Sequence, residues 1–312
     1  MLKRLILLAL LAVMLLSGCS LSSDKPTDGK LRIVATIFPA YDFARQVFGD
    51  TADVTLLLKP GTESHSYDPS ARDIVKIDSC DLFIYNGGES DAWVENILRS
   101  ADEVNALRMM DAVEALTEEH EDIAEAEHDE HDDEVEYDEH IWTSPKNAAL
   151  IVESICKAAV TLAPENSTLY ERTAGEYITE INALDMKFTE LLSDEKRCFI
   201  FGDRFPLLYF FREYGLNYRA AFPGCGSETE PSAQTVAFLT EKLSESDTVP
   251  AVFCIELSNR KLAETLADEN GLPVAEFHTC HNITADDFAA EESYVSLMER
   301  NYQTLQSVLT GG

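Results

Sequence analysis

Four of the chain's seven histidines fall between Thr117 and Pro145. His120, His128 and His131 are set in a run that is otherwise nearly all aspartate and glutamate, and the run ends in His140-Ile141-Trp142-Thr143-Ser144-Pro145. Imidazole nitrogen among carboxylate oxygens is a donor mixture suited to zinc or another borderline divalent cation. The two parts of the stretch predict different things. The acidic part cannot bury apolar surface, so it reads as a mobile loop in which His120, His128 and His131 are weak metal contacts. Ile141 and Trp142 are apolar anchors that place His140 at the edge of a folded core.

Three further segments carry groups that bind metals. His65 stands in Lys59-Pro60-Gly61-Thr62-Glu63-Ser64-His65-Ser66-Tyr67-Asp68-Pro69-Ser70, directly after a predicted strand, with Ser70 as the cap of the next helix. His278 follows another predicted strand, with His281 three residues on, and Asp203 follows a third. Ligands of open parallel sheets lie beyond the C-terminal strand ends. His65, His140 and His278 from separate loops, with Asp203 as the carboxylate, therefore make a candidate tetrahedral site. Glu256, after a further strand, or water is the alternative fourth donor. Glu228 and Glu230 read more simply as acids in a loop before a helix N-terminus.

These loops need a scaffold, and the apolar pattern predicts one. Short β-branched runs alternate with helical spacings. Strands are expected over 31–37, 54–58, 82–85 and 104–109, with helices over 39–47, 71–79 and 92–99. After the acidic loop (117–139) come a helix over 147–162 and a much longer helical stretch over 164–192. In the long stretch Tyr177, Ile181, Leu184, Phe188 and Leu191 form one stripe. Beyond it the alternation resumes, with strands over 198–201, 218–222, 251–255 and 274–277 and helices over 206–214, 232–243, 259–269 and 292–309. The expected class is α/β: an N-terminal lobe over 31–163 and a C-terminal lobe over 194–312, each a parallel sheet flanked by helices. A connecting helix over 164–193 serves as a rigid spine, and the metal site lies in the cleft.

The N-terminus predicts export. Lys3 and Arg4 precede an apolar run from Leu5 to Leu16, too short for a comfortable membrane span, and Leu16-Ser17-Gly18-Cys19 closes it. This resembles the signal and lipobox of bacterial lipoproteins (1–19). That resemblance implies lipidation at Cys19, a tether over 20–30, and a folded part held at the outer face of the cell membrane or in the periplasm. The formal charge, 24 − 57 = −33, argues against nucleic acid as a partner and is compatible with cations. Six cysteines besides Cys19 show no Cys-x-x-Cys pair, and Cys225 with Cys280 is the disulfide candidate for an oxidising compartment.

Gly61-Thr62-Glu63-Ser64-His65-Ser66-Tyr67-Asp68-Pro69-Ser70, Asp138-Glu139-His140-Ile141-Trp142-Thr143-Ser144-Pro145 and Ser293-Tyr294-Val295-Ser296-Leu297-Met298 resemble the metal-binding lipoproteins of ABC importers for zinc and manganese. The resemblance runs from about Lys30 to the C-terminus, and the His-rich acidic loop looks like the zinc-specific branch. It implies two lobes joined by a rigid helix, one metal ion in the cleft, no catalysis, and delivery to a membrane permease by what is expected to be a monomer. His65 and His140 stand in matching motifs. Such proteins commonly carry a third histidine after the first strand of the second lobe, in a His-Asp-Ala-Phe-like motif. Here Gly202-Asp203-Arg204-Phe205-Pro206 stands there, and Phe277-His278-Thr279-Cys280-His281 occupies the place of a late aspartate. His278 is therefore expected to restore the missing imidazole. His-rich ligation favours zinc over manganese. Two other classes compete: a secreted metalloenzyme, for which no His-Glu-x-x-His or Gly-x-Ser-x-Gly is present, and a surface adhesin or metal-storage lipoprotein binding many ions weakly.

Overall fold

The computed structural model describes residues 29–62, 67–100, 104–118, 136–224, 231–245 and 247–311. Cys19, His65, His120, His128, His131, Cys225, Glu228 and Glu230 lie outside them. Two four-stranded parallel sheets form the scaffold, both within the unit Leu31–Gly312. The first is built from β1 (Leu31–Ala35), β2 (Ala52–Leu56), β3 (Leu82–Tyr85) and β4 (Ala106–Arg108), in the order β2-β1-β3-β4. Its helices are α1 (Phe38–Phe48), α2 (Ala71–Ser79) and α3 (Ala92–Ser100). Two helices follow, α4 (Pro145–Leu162) and the 26-residue α5 (Ser167–Leu192). The second sheet comprises β5 (Cys198–Phe205), β6 (Asn217–Pro223), β7 (Thr248–Ile255) and β8 (Val274–Phe277), in the matching order β6-β5-β7-β8. Its helices are α6 (Leu208–Tyr214), α7 (Ala233–Leu243), α8 (Lys261–Asn270), α9 (Ala285–Ala289) and α10 (Tyr294–Thr310).

The uninterrupted apolar strands follow from burial on both faces. Successive side chains point to opposite sides of a sheet. Ile33 and Ala35 of β1, and Phe199 and Phe201 of β5, enter one core shared by both sheets and by α1, α4, α5 and α10. Val34 instead meets Ile77 and Val94 on the outer face of the first sheet. Ile200 meets Leu239, Leu262 and Leu266 on the outer face of the second. The shared core makes the lobes one packed body.

Several predicted boundaries hold closely. Ser70 caps α2, and its exchange with Asp73 forms a capping box, which fixes where the His65 loop ends. α5 spans about 39 Å at 1.5 Å per residue. It buries Tyr177, Ile181, Leu184 and Phe188 as expected, then Leu192 in place of Leu191, because a step of four keeps a straight helix on its inward face. Phe188 packs edge-on against Phe210 and Tyr302, which ties the spine to α6 and α10. Other elements differ: the second strand comes two residues early, at Ala52–Leu56, and the strand expected over 104–109 is confined to Ala106–Arg108. α9 was not expected; it is a short helix capped by Thr284. β5 runs on to Phe205 through an irregularity between Phe201 and Arg204, so Asp203 lies within the strand and not after it.

Candidate metal centre

In both sheets the chain switches direction beside the central strand, between β1 and β3 and between β5 and β7. Crevices at such points are where open α/β sheets bind ligands. Segments that follow strands of the two sheets meet: Phe38 N, after β1, donates to His281 O, after β8, at 3.4 Å.

His140 enters from the first lobe and is fully buried. Thr117 and Tyr137 pair as a short antiparallel bridge that closes the base of the acidic loop. Tyr209 of α6 locks this stem, since its hydroxyl donates to Asp138 O and accepts from Leu116 N, both at 2.9 Å. From the stem the chain leads straight into Asp138-Glu139-His140. Asp138 Oδ1 accepts from His140 N at 2.7 Å and lies 3.2 Å from its Nδ1. The ring is thereby oriented with Nδ1 on a carboxylate. Burial works against the protonated ring. The Asp138 carboxylate, supported by Glu139 and Glu118, outweighs that effect and holds the His140 pKa above its usual value. Burial, with Asp138 beside it, pushes the Glu118 carboxyl up to about 7.

The imidazole that meets His140 is His281. Their ring centroids are 5.3 Å apart at 78°, and the Trp142 ring lies 4.9 Å from His281. Two imidazoles sharing one tetrahedral zinc, with Zn–N of about 2.0–2.1 Å, have centroids about 5 Å apart, so the spacing suits one shared ion. His281 is 8 % exposed and borders a cavity of about 230 Å³. Thr62 from the first lobe, and Arg204, Gly224, Glu256 and Asn282 from the second, share that lining. Gly224 permits the close approach of the lobes, because a Cβ there would come within 3.0 Å of Pro206 Cα and 3.3 Å of His140 Cε1.

His65 lies outside the described residues, but the stem of its loop is tied to the His281 segment. Gly61 N donates to Ile283 O at 2.8 Å, and Asn282 Nδ2 donates to Lys59 O at 3.1 Å and to Thr62 O. Trp142 Nε1 donates to Thr279 O at 2.9 Å, a further bond across the lobes.

The other expected donors are placed elsewhere. His278 does not face His140; its Nδ1 accepts from Cys280 N at 2.9 Å, and Asn301 clamps its backbone. Asp203 does not face the rings either. Its Oδ2 accepts from Ile255 N at 3.1 Å, on β7 beyond the last β5–β7 register pair of Phe201 with Phe253, and its Oδ1 accepts from Arg204 N at 2.8 Å. Burial raises its pKa. Gly202 packs on α8, where a Cβ would meet Ala263 Cα at 2.7 Å, so no ligand-bearing side chain fits that position. Glu256 is turned to Thr279 and serves the loop. Cys280 carries a free thiol, buried and directed at His278 O, and so is not in the expected disulfide. Among the described residues no three His, Cys, Asp or Glu side chains gather around one point. Sequence reasoning passed over His281 as a neighbour of His278, and its available signal was the polar run Thr279-Cys280-His281-Asn282 after a strand end.

Comparison with known proteins bears on this arrangement. The family description "zinc-uptake complex component A, periplasmic" (ZnuA) matches residues 33–308. The zinc-binding lipoprotein AdcA of Streptococcus pneumoniae is 34 % identical over 96 % of the chain, which spans 60 % of AdcA's length. The high-affinity zinc uptake system protein ZnuA of Bacillus subtilis is 32 % identical, with 95 % of this chain and 94 % of that protein aligned. Among solved structures, the Zn(II)-bound ZnuA-like domain of Streptococcus pneumoniae AdcA superposes with a TM-score of 0.75 at 31 % identity, covering 90 % of this chain and 99 % of that domain.

Proposed function

The chain belongs to the ZnuA family of zinc-uptake components, a transport family and not an enzyme family, and from that premise we propose that it captures one Zn²⁺ ion in the cleft for delivery to an ABC permease. The observation that carries the reading is the apposition of His140 and His281, brought together from different lobes at the spacing of two ligands on one ion. His140 binds through Nε2, since Nδ1 faces Asp138. A carboxylate behind a ligating imidazole is a recurrent support that raises ligand basicity. His281 takes the part first expected of His278. His65 is the third imidazole: Thr62 lines the cavity, and three residues of chain reach about 10 Å. A water or a carboxylate completes the sphere. Three imidazoles favour zinc over manganese.

Capture is a binding event, so no bond in a substrate is broken. The ligand rings must be neutral to bind, and protons leave as the metal enters. His120, His128 and His131 in the acidic loop concentrate metal weakly, and the Thr117–Tyr137 stem of the loop ends three residues before His140. In this reading Cys19 is lipidated and the body is held at the outer face of the membrane. Among the described residues no helix is long and apolar enough to cross it.

The test is a calorimetric zinc titration of the protein beside His140→Ala. One tight event that the substitution removes or greatly weakens supports capture. Weak, multiple binding left unchanged by it would favour storage or adhesion, with His140 a packing residue beside Trp142.

A further inference from the structure

The segment His278–His281 has an unusual construction. All four residues are buried, and Cys280 sits at φ +61, a left-handed conformation that a residue with a Cβ adopts only when its surroundings enforce it. Four successive backbone N–H groups are each taken by a side chain. His278 N donates to Asn301 Oδ1 at 2.7 Å and Thr279 N to Glu256 Oε2 at 2.7 Å. Cys280 N donates to His278 Nδ1 at 2.9 Å and His281 N to Thr279 Oγ1 at 3.2 Å. Thr279 Oγ1 in turn donates to Glu256 Oε1 at 2.5 Å. This clasp of side chains, and no sheet or helix, sets the direction in which His281 leaves the chain.

Within the clasp His278 is the acceptor for the one strained residue. A ring that accepts at Nδ1 is neutral and carries its proton on Nε2. That Nε2 is buried and has no hydrogen-bond partner among the described residues. Neither nitrogen then offers a lone pair to a metal. An orphaned buried N–H is unfavourable, so packing alone does not account for an imidazole here. The Nδ1 lone pair, aimed at the Cys280 amide, does.

We propose that His278 is a positioning residue for His281: its Nδ1 holds Cys280 in the left-handed turn that presents His281 to His140. This rests on the reading of His281 as a zinc ligand. Two near-isosteres separate the nitrogens. His278→Asn keeps an acceptor oxygen at the place of Nδ1. His278→Gln moves the amide to the place of Nε2 and leaves the Cys280 N–H unmet. Outer-shell supports of metal ligands are worth about 10–100-fold in affinity, and that loss is expected for the Gln variant. The Asn variant should bind zinc within about threefold of the parent by that scale, with the same number of imidazoles around zinc by X-ray absorption. Thermal unfolding of the metal-free forms reads the packing cost of each variant separately, so a loss of affinity in the Gln variant beyond that of the Asn variant, without a matching loss of stability, reports the Nδ1 acceptor. Parent-like affinity in the Gln variant, equal losses in both, or one imidazole fewer around zinc in the Asn variant would each overturn the proposal. His281→Ala serves as the parallel control. Parent-like affinity there would overturn the ligand reading itself; lost affinity there with parent-like binding in the Gln variant would overturn only the clasp.

Discussion

Replacing Asp138 by asparagine isolates the charge behind His140. The side chain keeps its shape, and Oδ1 can still accept from His140 N, as it does at 2.7 Å. What changes is the carboxylate 3.2 Å from Nδ1. That charge favours any cation on the ring, whether zinc at Nε2 or a proton. Loss of a carboxylate behind a ligating histidine costs about 10–100-fold in metal affinity. At 1.36 kcal/mol per tenfold, this is about 1.4–2.7 kcal/mol. The same substitution removes the main cause of the raised His140 pKa, so proton competition falls too. Each unit by which that pKa drops returns up to about tenfold in apparent affinity at pH values below it. The deficit should therefore be full near pH 8 and smaller near pH 5.5. Competitive zinc titrations of parent and Asp138→Asn at both pH values measure it. An equal deficit at the two pH values, or none at pH 8, would refute the coupling of Asp138 to a ligating His140.

The raised His140 pKa also sets the behaviour of the parent protein. Zinc affinity should fall as pH drops through a value above the usual 6.5, and calorimetry in buffers of different ionisation heat should show proton release on binding that vanishes well above it. In the metal-free protein the sign is opposite: the charged ring paired with Asp138 stabilises the fold fully below about 6.5, and that contribution is lost as pH rises through the folded value. Asp42→Ala should destabilise by about 1–3 kcal/mol in chemical denaturation, as expected when a buried acceptor is removed and its donors are left unmet. Buried Asp42 accepts from Tyr177 OH at 2.6 Å, Tyr294 N at 2.9 Å and Arg45 Nη2 at 2.8 Å, and so joins α1, α5 and α10. A loss under about 1 kcal/mol, the size of an exposed pair, would deny that junction its role. Gly224→Ala should weaken zinc binding several-fold and lower stability by about 1–3 kcal/mol, as overpacking does. Its Cβ has Pro206 and the His140 ring for neighbours. Parent-like titration and melting would show that the lobes yield there.

Periodicity is local, so the sequence alone determined most of the elements. Apolar runs such as Leu82–Tyr85 and Val274–Phe277 matched their strands, Ser70 its cap, and the stripe from Tyr177 to Phe188 the inward face of the spine. His140 was legible for the same reason: Ile141 and Trp142 beside it had to be buried, and both are. The tertiary structure decided which late histidine reaches the cleft. His278 and His281 are three residues apart in a segment with no repeating geometry, and spacing does not separate them. The choice is made by bonds to Trp142, Glu256 and Asn301, all more than 20 residues away in the chain, and by a left-handed turn at Cys280 that no local propensity favours. Asp203 was decided in the same way. Its position before Arg204 looked like a strand end, but the irregularity beside it appears only when β6 pairs with β5, and the carboxylate goes to the amides of Arg204 and Ile255. A side chain on a helix or strand points where its own period sends it. A side chain on a buried loop points where its distant partners hold the backbone, and those partners meet only in the folded chain.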